Sequence, residues 1–112
     1  MTDSSLDIRC IVAIVERGKA DRIVDAAKSV DAAGATVFYA RGTGSTEARK
    51  FLDVHIESSK EVILILSAVT KKDQIMQAMI DAGKLKEPGT GVIFSINISD
   101  LVGKKQVLEK FK

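Results

Sequence analysis

Glu61-Val62-Ile63-Leu64-Ile65-Leu66-Ser67-Ala68-Val69 runs straight into Thr70-Lys71-Lys72-Asp73-Gln74-Ile75-Met76-Gln77-Ala78-Met79-Ile80, and this junction decides the fold. The first stretch holds Val62 to Leu66 with no polar residue among them, which reads as a short strand buried on both faces. In the second, Ile75, Met76, Met79 and Ile80 recur at helical spacing, so a helix is expected to about residue 82. Thr70 with Asp73 three residues on reads as its capping pair, and Gly83 as its stop.

The same plan lies upstream. Residues 6–15 alternate at first and then become apolar throughout, a strand broken by Glu16-Arg17-Gly18. Over 19–33, Ala20, Ile23, Val24, Ala27 and Val30 form one stripe of a helix, with Gly34 as the expected C-terminal cap. Residues 35–40 have strand composition, and Gly91-Val92-Ile93-Phe94-Ser95-Ile96 forms a last strand. Ala20-Asp21-Arg22-Ile23-Val24-Asp25-Ala26 also resembles Lys72-Asp73-Gln74-Ile75-Met76-Gln77-Ala78, and 34–39 resembles 89–94. Two βαβ-like units predict one α+β domain over 1–112, ferredoxin-like with βαββαβ order. Its four-stranded antiparallel sheet would carry both helices on one face.

Two helices cover one face of a sheet only. The central strands show no polar alternation over 10–15 or 62–66, so something must cover the second face, and self-association is the simplest cover. The alternative cover is the chain's own loop at 41–60, which has no clear period, or its lysine-bearing tail at 99–112. A short helical turn at 47–52, an extended piece at 54–57 and a helical turn in the tail are expected there.

The 112 residues are 46% hydrophobic and 29% charged with a net charge of +2, an ordinary globular balance. So small a charge argues against nucleic acid as the partner. No apolar stretch approaches the roughly 18 residues of a membrane span, so no membrane insertion is expected. The polar start, with Asp3, does not resemble a secretory signal, and the lone Cys10 sits in an apolar run as a buried thiol. A cytoplasmic location follows. His55 has no second histidine or cysteine pair to make a metal site or a nucleophile pair. Asp21 and Asp25 fall on a solvated helix face. No catalytic residue and no metal ligand is assigned.

The positive signals are glycines at strand ends. Arg41-Gly42-Thr43-Gly44-Ser45 follows the second strand, and Gly89-Thr90-Gly91 precedes the fourth, with Gly83-Lys84 upstream. Glycines let backbone N–H groups turn toward an anion, and Lys84, Lys104 and Lys105 are available as cations; the plainer reading of each pair is a tight turn.

In its order of elements the chain resembles the PII signal-transduction (nitrogen regulatory protein P-II) family, most specifically at Arg41-Gly42-Thr43-Gly44 and Gly89-Thr90-Gly91-Val92-Ile93-Phe94. The resemblance spans residue 6 to about residue 105. It implies a homotrimer with its sheets facing the centre and an adenine nucleotide (ATP, ADP or an AMP-type ligand) bound as a regulatory ligand between subunits. It implies no tightly bound cofactor. The 41–60 loop would dock on a membrane transporter or a metabolic enzyme. By position, Thr36 would lie near the adenine and Gly42, Thr43 and Gly44 at the loop base. Gly89, Thr90 and Gly91 would form the phosphate-side loop, and Lys104 and Lys105 would reach the phosphates. This chain departs from the family in having Val92 where a lysine precedes Ile-Phe, a longer 84–88 segment, and a shorter loop without tyrosine or glutamine.

Two alternatives share the fold. One is a nucleotide-free interaction trimer. The other is an acylphosphatase-like enzyme using Arg17 and Asn97. An RNA-binding surface is excluded, because the central strands hold no aromatic residue to stack a base.

Overall fold

The apolar runs form the two central strands of a sheet. The computed structural model describes residues 7–43 and 57–103. Its elements are β1 (Ile8–Glu16), α1 (Ala20–Ser29), β2 (Thr36–Thr43), β3 (Glu57–Ala68), α2 (Val69–Gly83) and β4 (Gly91–Asn97). All pairings are antiparallel and the strand order is β2-β3-β1-β4, with both helices against one face. This is the ferredoxin-like arrangement expected from the repeat.

Strand alternation sorts the side chains into two layers. Ile11, Ala13 and Val15 of β1 with Ile63 and Ile65 of β3 face the helices. They pack on Ile23 and Ala27 of α1 and on Ile75 and Met79 of α2, all essentially buried. Each of the larger side chains removed from water contributes about 1.5–3 kcal/mol, which explains why a ten-residue helix such as α1 persists here.

The opposite face is apolar over most of its width, with Thr36 at the β2 edge. The register aligns Phe38, Val62, Ile14 and Val92 in one row and Thr36, Leu64, Val12 and Phe94 in the next. Leu64 and Leu66 share this face. Phe38 (45%), Val92 (54%), Phe94 (43%) and Ile96 (47%) remain open to solvent. Among the described residues of this face, the charged pair stands at the loop end, Lys60 with Glu16.

Several boundaries differ from the sequence reading, each for a local reason. α1 ends at Ser29 rather than residue 33. Asp31 takes the left-handed conformation (φ 70), and the Asp31 and Ala32 N–H groups close on the carbonyls of Lys28 and Ala27. Gly34 is therefore not the cap. α2 ends the same way on Lys84 (φ 53), whose N–H donates to Asp81 O while that of Leu85 donates to Ile80 O. Gly83 lies inside the helix for another reason: a Cβ there would stand 2.8 Å from Ile23 Cδ1. Thr70 and Asp73 do not cap α2. Its N-cap is Ala68 with no side-chain bond, and the Val69 N–H is satisfied by Asp7 O at 2.9 Å.

β2 and β3 also continue into the stretch expected as loop, pairing from Thr36↔Leu64 out to Thr43↔Glu57. The predicted turn at 47–52, most of the extended piece at 54–57 and the tail turn lie outside the described residues.

Candidate functional site

Four chain segments meet at the pole of the sheet where β1 ends and β4 begins. Val15 pairs with Glu61 on one side and with Gly91 on the other, and Glu61 pairs with Tyr39. The β1–α1 turn, the base of the β2–β3 hairpin and the glycine segment before β4 thus share one end of the molecule.

Glu61 organises this end. It is buried (7% exposed) although charged, and one carboxylate oxygen, Oε1, accepts from the Gly18 N–H at 2.6 Å and the Ala20 N–H at 3.1 Å. Lys19, the α1 N-cap, offers no side-chain cap, so β3 supplies it across 41 to 43 residues of sequence. The negative carboxylate also suits the positive end of the helix. Nearby, the Arg17 guanidinium lies 5.4 Å from the Tyr39 ring centroid, a cation–π contact on the exposed edge strand. Sequence reasoning missed Glu61 because its role is long-range; the one local signal was an acidic residue opening an apolar run.

The expected ligand residues divide into two groups. Thr36 and Gly42 lie on edge strand β2, Thr36 exposed in the row with Leu64, and Gly42 opposite Ser58. A Cβ at Gly42 would come within 3.8 Å of Lys60 Cγ, an ordinary contact. Thr43 ends β2 opposite Glu57. Gly89, Thr90 and Gly91 stand at the other edge, before and at the start of β4. Three strand spacings, about 14 Å, separate the two edges. A single chain does not close them into one pocket. Gly44, Lys104 and Lys105 lie outside the described residues.

The two glycines before β4 are unlike in their demands. Gly89 (φ 77) has open space around it, whereas at Gly91 (φ 141) a Cβ would stand 2.6 Å from the Ile14 carbonyl oxygen. Gly91→Ala is expected to cost about 3 kcal/mol through backbone strain and the clash together, and Gly89→Ala about 1 kcal/mol. Urea unfolding of the two variants at one protein concentration checks the difference. Thr90 fastens the segment: its hydroxyl lies 2.9 Å from Lys84 O and 2.8 Å from Glu87 O.

Catalytic chemistry has little to work with here. Asn97 pairs with Arg9, at the end of β1 opposite Arg17, so the two residues of the acylphosphatase reading stand about 25 Å apart. Cys10 is buried, and burial pushes its thiol pKa up, a backbone contact from Ile65 offsetting part of the rise. Among the described residues no group of three or more His, Cys, Asp or Glu could hold a metal.

Solved structures of known proteins share this architecture. The B. subtilis GlnK–ATP complex superposes with a TM-score of 0.67 at 17% identity, covering 83% of each chain. Arabidopsis thaliana PII bound to citrate gives 0.66 at 21% identity, covering 88% of this chain and 83% of that one. No curated protein matches the chain. The family model for nitrogen regulatory protein P-II matches residues 8–106, from the first residue of β1 to beyond the end of β4, and the chain belongs to that family.

Proposed function

We propose that the chain is a trimeric P-II regulator that binds an adenine nucleotide between subunits and signals through its 41–60 loop. Proteins of this family are regulatory signal transducers, not enzymes. The observation that carries the reading is the apolar open face, bounded at its two edges by glycine segments that stand at the same pole. A neighbour seated on that face brings the β2 edge of one chain toward the β4 edge of another. Thr36, Gly42, Thr43 and Gly44 then oppose Gly89, Thr90 and Gly91, with Lys104 and Lys105 as the phosphate cations. A heterologous contact of this sort builds a closed ring when its rotation divides the full turn evenly, and a trimer is the reading's ring.

The GlnK structure is a complex with ATP, which makes ATP, ADP and AMP the first ligands to test. Light scattering should find a monodisperse trimer, and calorimetry should find an adenine nucleotide bound. Gly44→Val is expected to weaken that binding at least tenfold by keeping backbone from phosphate. A trimer that binds no adenine nucleotide would instead support the nucleotide-free interaction reading. Val92 favours that second reading: it is more than half exposed on the open face beside Ile14, adding apolar surface where the family resemblance calls for a cation.

The proposed partner is a membrane transporter or a metabolic enzyme met in the cytoplasm, with the loop as the contact. No helix among the described residues is long and apolar enough to cross a membrane. Replacing 47–57 by a glycine bridge should leave the trimer intact and abolish partner capture. Unfolding of that variant would make the loop part of the core and remove the support for this role.

A further inference from the structure

A cavity of about 190 Å³ opens on the helix side of the sheet, lined by Lys19 and Arg22 of the α1 start, the α2 end at Gly83, and Lys84, Glu87 and Thr90. The register puts Thr36 and Gly42 on the other side of the sheet. The cavity therefore lies away from Thr36 and Gly42; it shares Thr90 with the proposed phosphate-side loop, but Lys19, Arg22, Lys84 and Glu87 belong to the cavity alone, and its reading does not depend on that proposal.

We propose that this cavity is a second ligand site, for a compact dianion that also carries a hydrogen-bond donor. Three cationic side chains share its wall, and among the described residues none of Lys19, Arg22 and Lys84 is in an ion pair. Like charges around one concavity favour an anion between them.

The helix ends add direction. Glu61 takes the Gly18 and Ala20 N–H groups, and the first-turn N–H groups at Asp21 and Arg22 have no intrahelical acceptor. Glu61 offsets the positive end of α1, so the Lys19 and Arg22 side chains supply the charge a ligand would meet there. Glu87 also lines the cavity, and its carboxylate is an acceptor, while the Ile80, Asp81 and Lys84 carbonyls at the α2 end already accept bonds within the chain. A simple anion answers the cations but leaves the Glu87 acceptor without a donor. A hydroxyl-bearing dicarboxylate or a hydroxyl-bearing phosphate monoester satisfies both.

The wall is also preorganised. The left-handed Lys84, the Glu87 N–H bond to Lys84 O at 3.0 Å and the Thr90 hydroxyl on the same carbonyl hold the 84–90 segment before any ligand arrives. The volume is below the roughly 300–1,000 Å³ of pockets for drug-sized molecules, so the ligand is small.

The test titrates the full chain with malate, succinate or inorganic phosphate at constant ionic strength, followed by backbone amide NMR shifts. Malate and phosphate are expected to shift residues 19–22 and 83–87 saturably, and succinate, which has no donor, to bind more weakly. Arg22→Glu and Lys84→Glu, both at exposed positions, should each weaken malate binding about tenfold or more with the fold intact. Glu87→Gln should reduce the preference for malate over succinate. A phosphate monoester, glycerol phosphate, used beside malate separates the phosphate source from the carboxylate source. Shifts that never saturate, that match those from chloride, that fall on the open sheet face, or that survive both charge reversals would overturn the site.

Discussion

Leu64→Glu is expected to leave the chain folded and to drop its mass in solution threefold, from trimer to monomer. Leu64 lies between Thr36 of β2 and Val12 of β1, in the middle of the open apolar face. In an isolated chain Leu64 is half-buried beside Val12 and Val62 and still reaches water, so a carboxylate there costs less than in the assembly. In the assembly it would be buried without a partner, once per subunit, and an unpaired buried charge costs several kcal/mol even after relaxation. The neighbouring position gives the contrast. Ile63 points the other way, is fully buried in the helix-side core, and pairs with Ala13 and Val37. Ile63→Glu should unfold the chain rather than dissociate it. Light scattering separates the first outcome and circular dichroism the second. If Leu64→Glu kept the parent's mass, the open face would not be the subunit interface.

The elements legible in the sequence are those whose side chains repeat. The runs at 10–15 and 62–66 announced strands buried on both faces, and both became the central pair β3-β1. Their lack of polar alternation also announced the uncovered face, because the helices supply one layer only. Less legible were ends set by backbone geometry. Asp31 and Lys84 both take the left-handed turn that a reader assigns to glycine, while Gly83 is small because Ile23 crowds it.

The β2–β3 ladder was hidden for another reason. Its outer rungs are Arg41, Gly42, Thr43, Glu57, Ser58, Ser59 and Lys60, polar residues whose pairing is carried by backbone and leaves no apolar signature. At the site, the glycine motifs were readable as motifs. That they stand at opposite edges of one sheet depends on strand order, which only the fold supplies. The cation wall made by Lys19 and Arg22 with Lys84 was hidden likewise, since some 60 residues separate its two halves.

Glu61→Ala is expected to lower stability by about 3 kcal/mol, as much as Gly91→Ala at the same pole. The substitution leaves the Gly18 and Ala20 N–H groups without an acceptor, and Ala20 is fully buried, so water does not readily replace the lost bond. It also removes the negative charge from the start of α1. Glu61→Gln separates these two effects. Its side-chain oxygen can still accept from both N–H groups, so if hydrogen bonding dominates, the cost falls to about 1 kcal/mol. If the amide variant is as unstable as the alanine one, the charge on the helix end is what matters. Urea unfolding at a single protein concentration reads the difference, since assembly makes the midpoint concentration-dependent. A loss below about 0.5 kcal/mol for Glu61→Ala would mean that the β3 carboxylate does not hold α1 in place. The same variants bear on the cavity, because Lys19 and Arg22 are presented by the turn that Glu61 fastens. A frayed α1 start should broaden the amide signals of residues 18–22 and weaken malate binding. Glu61 touches no ligand in doing so; it acts by fixing where the cations stand.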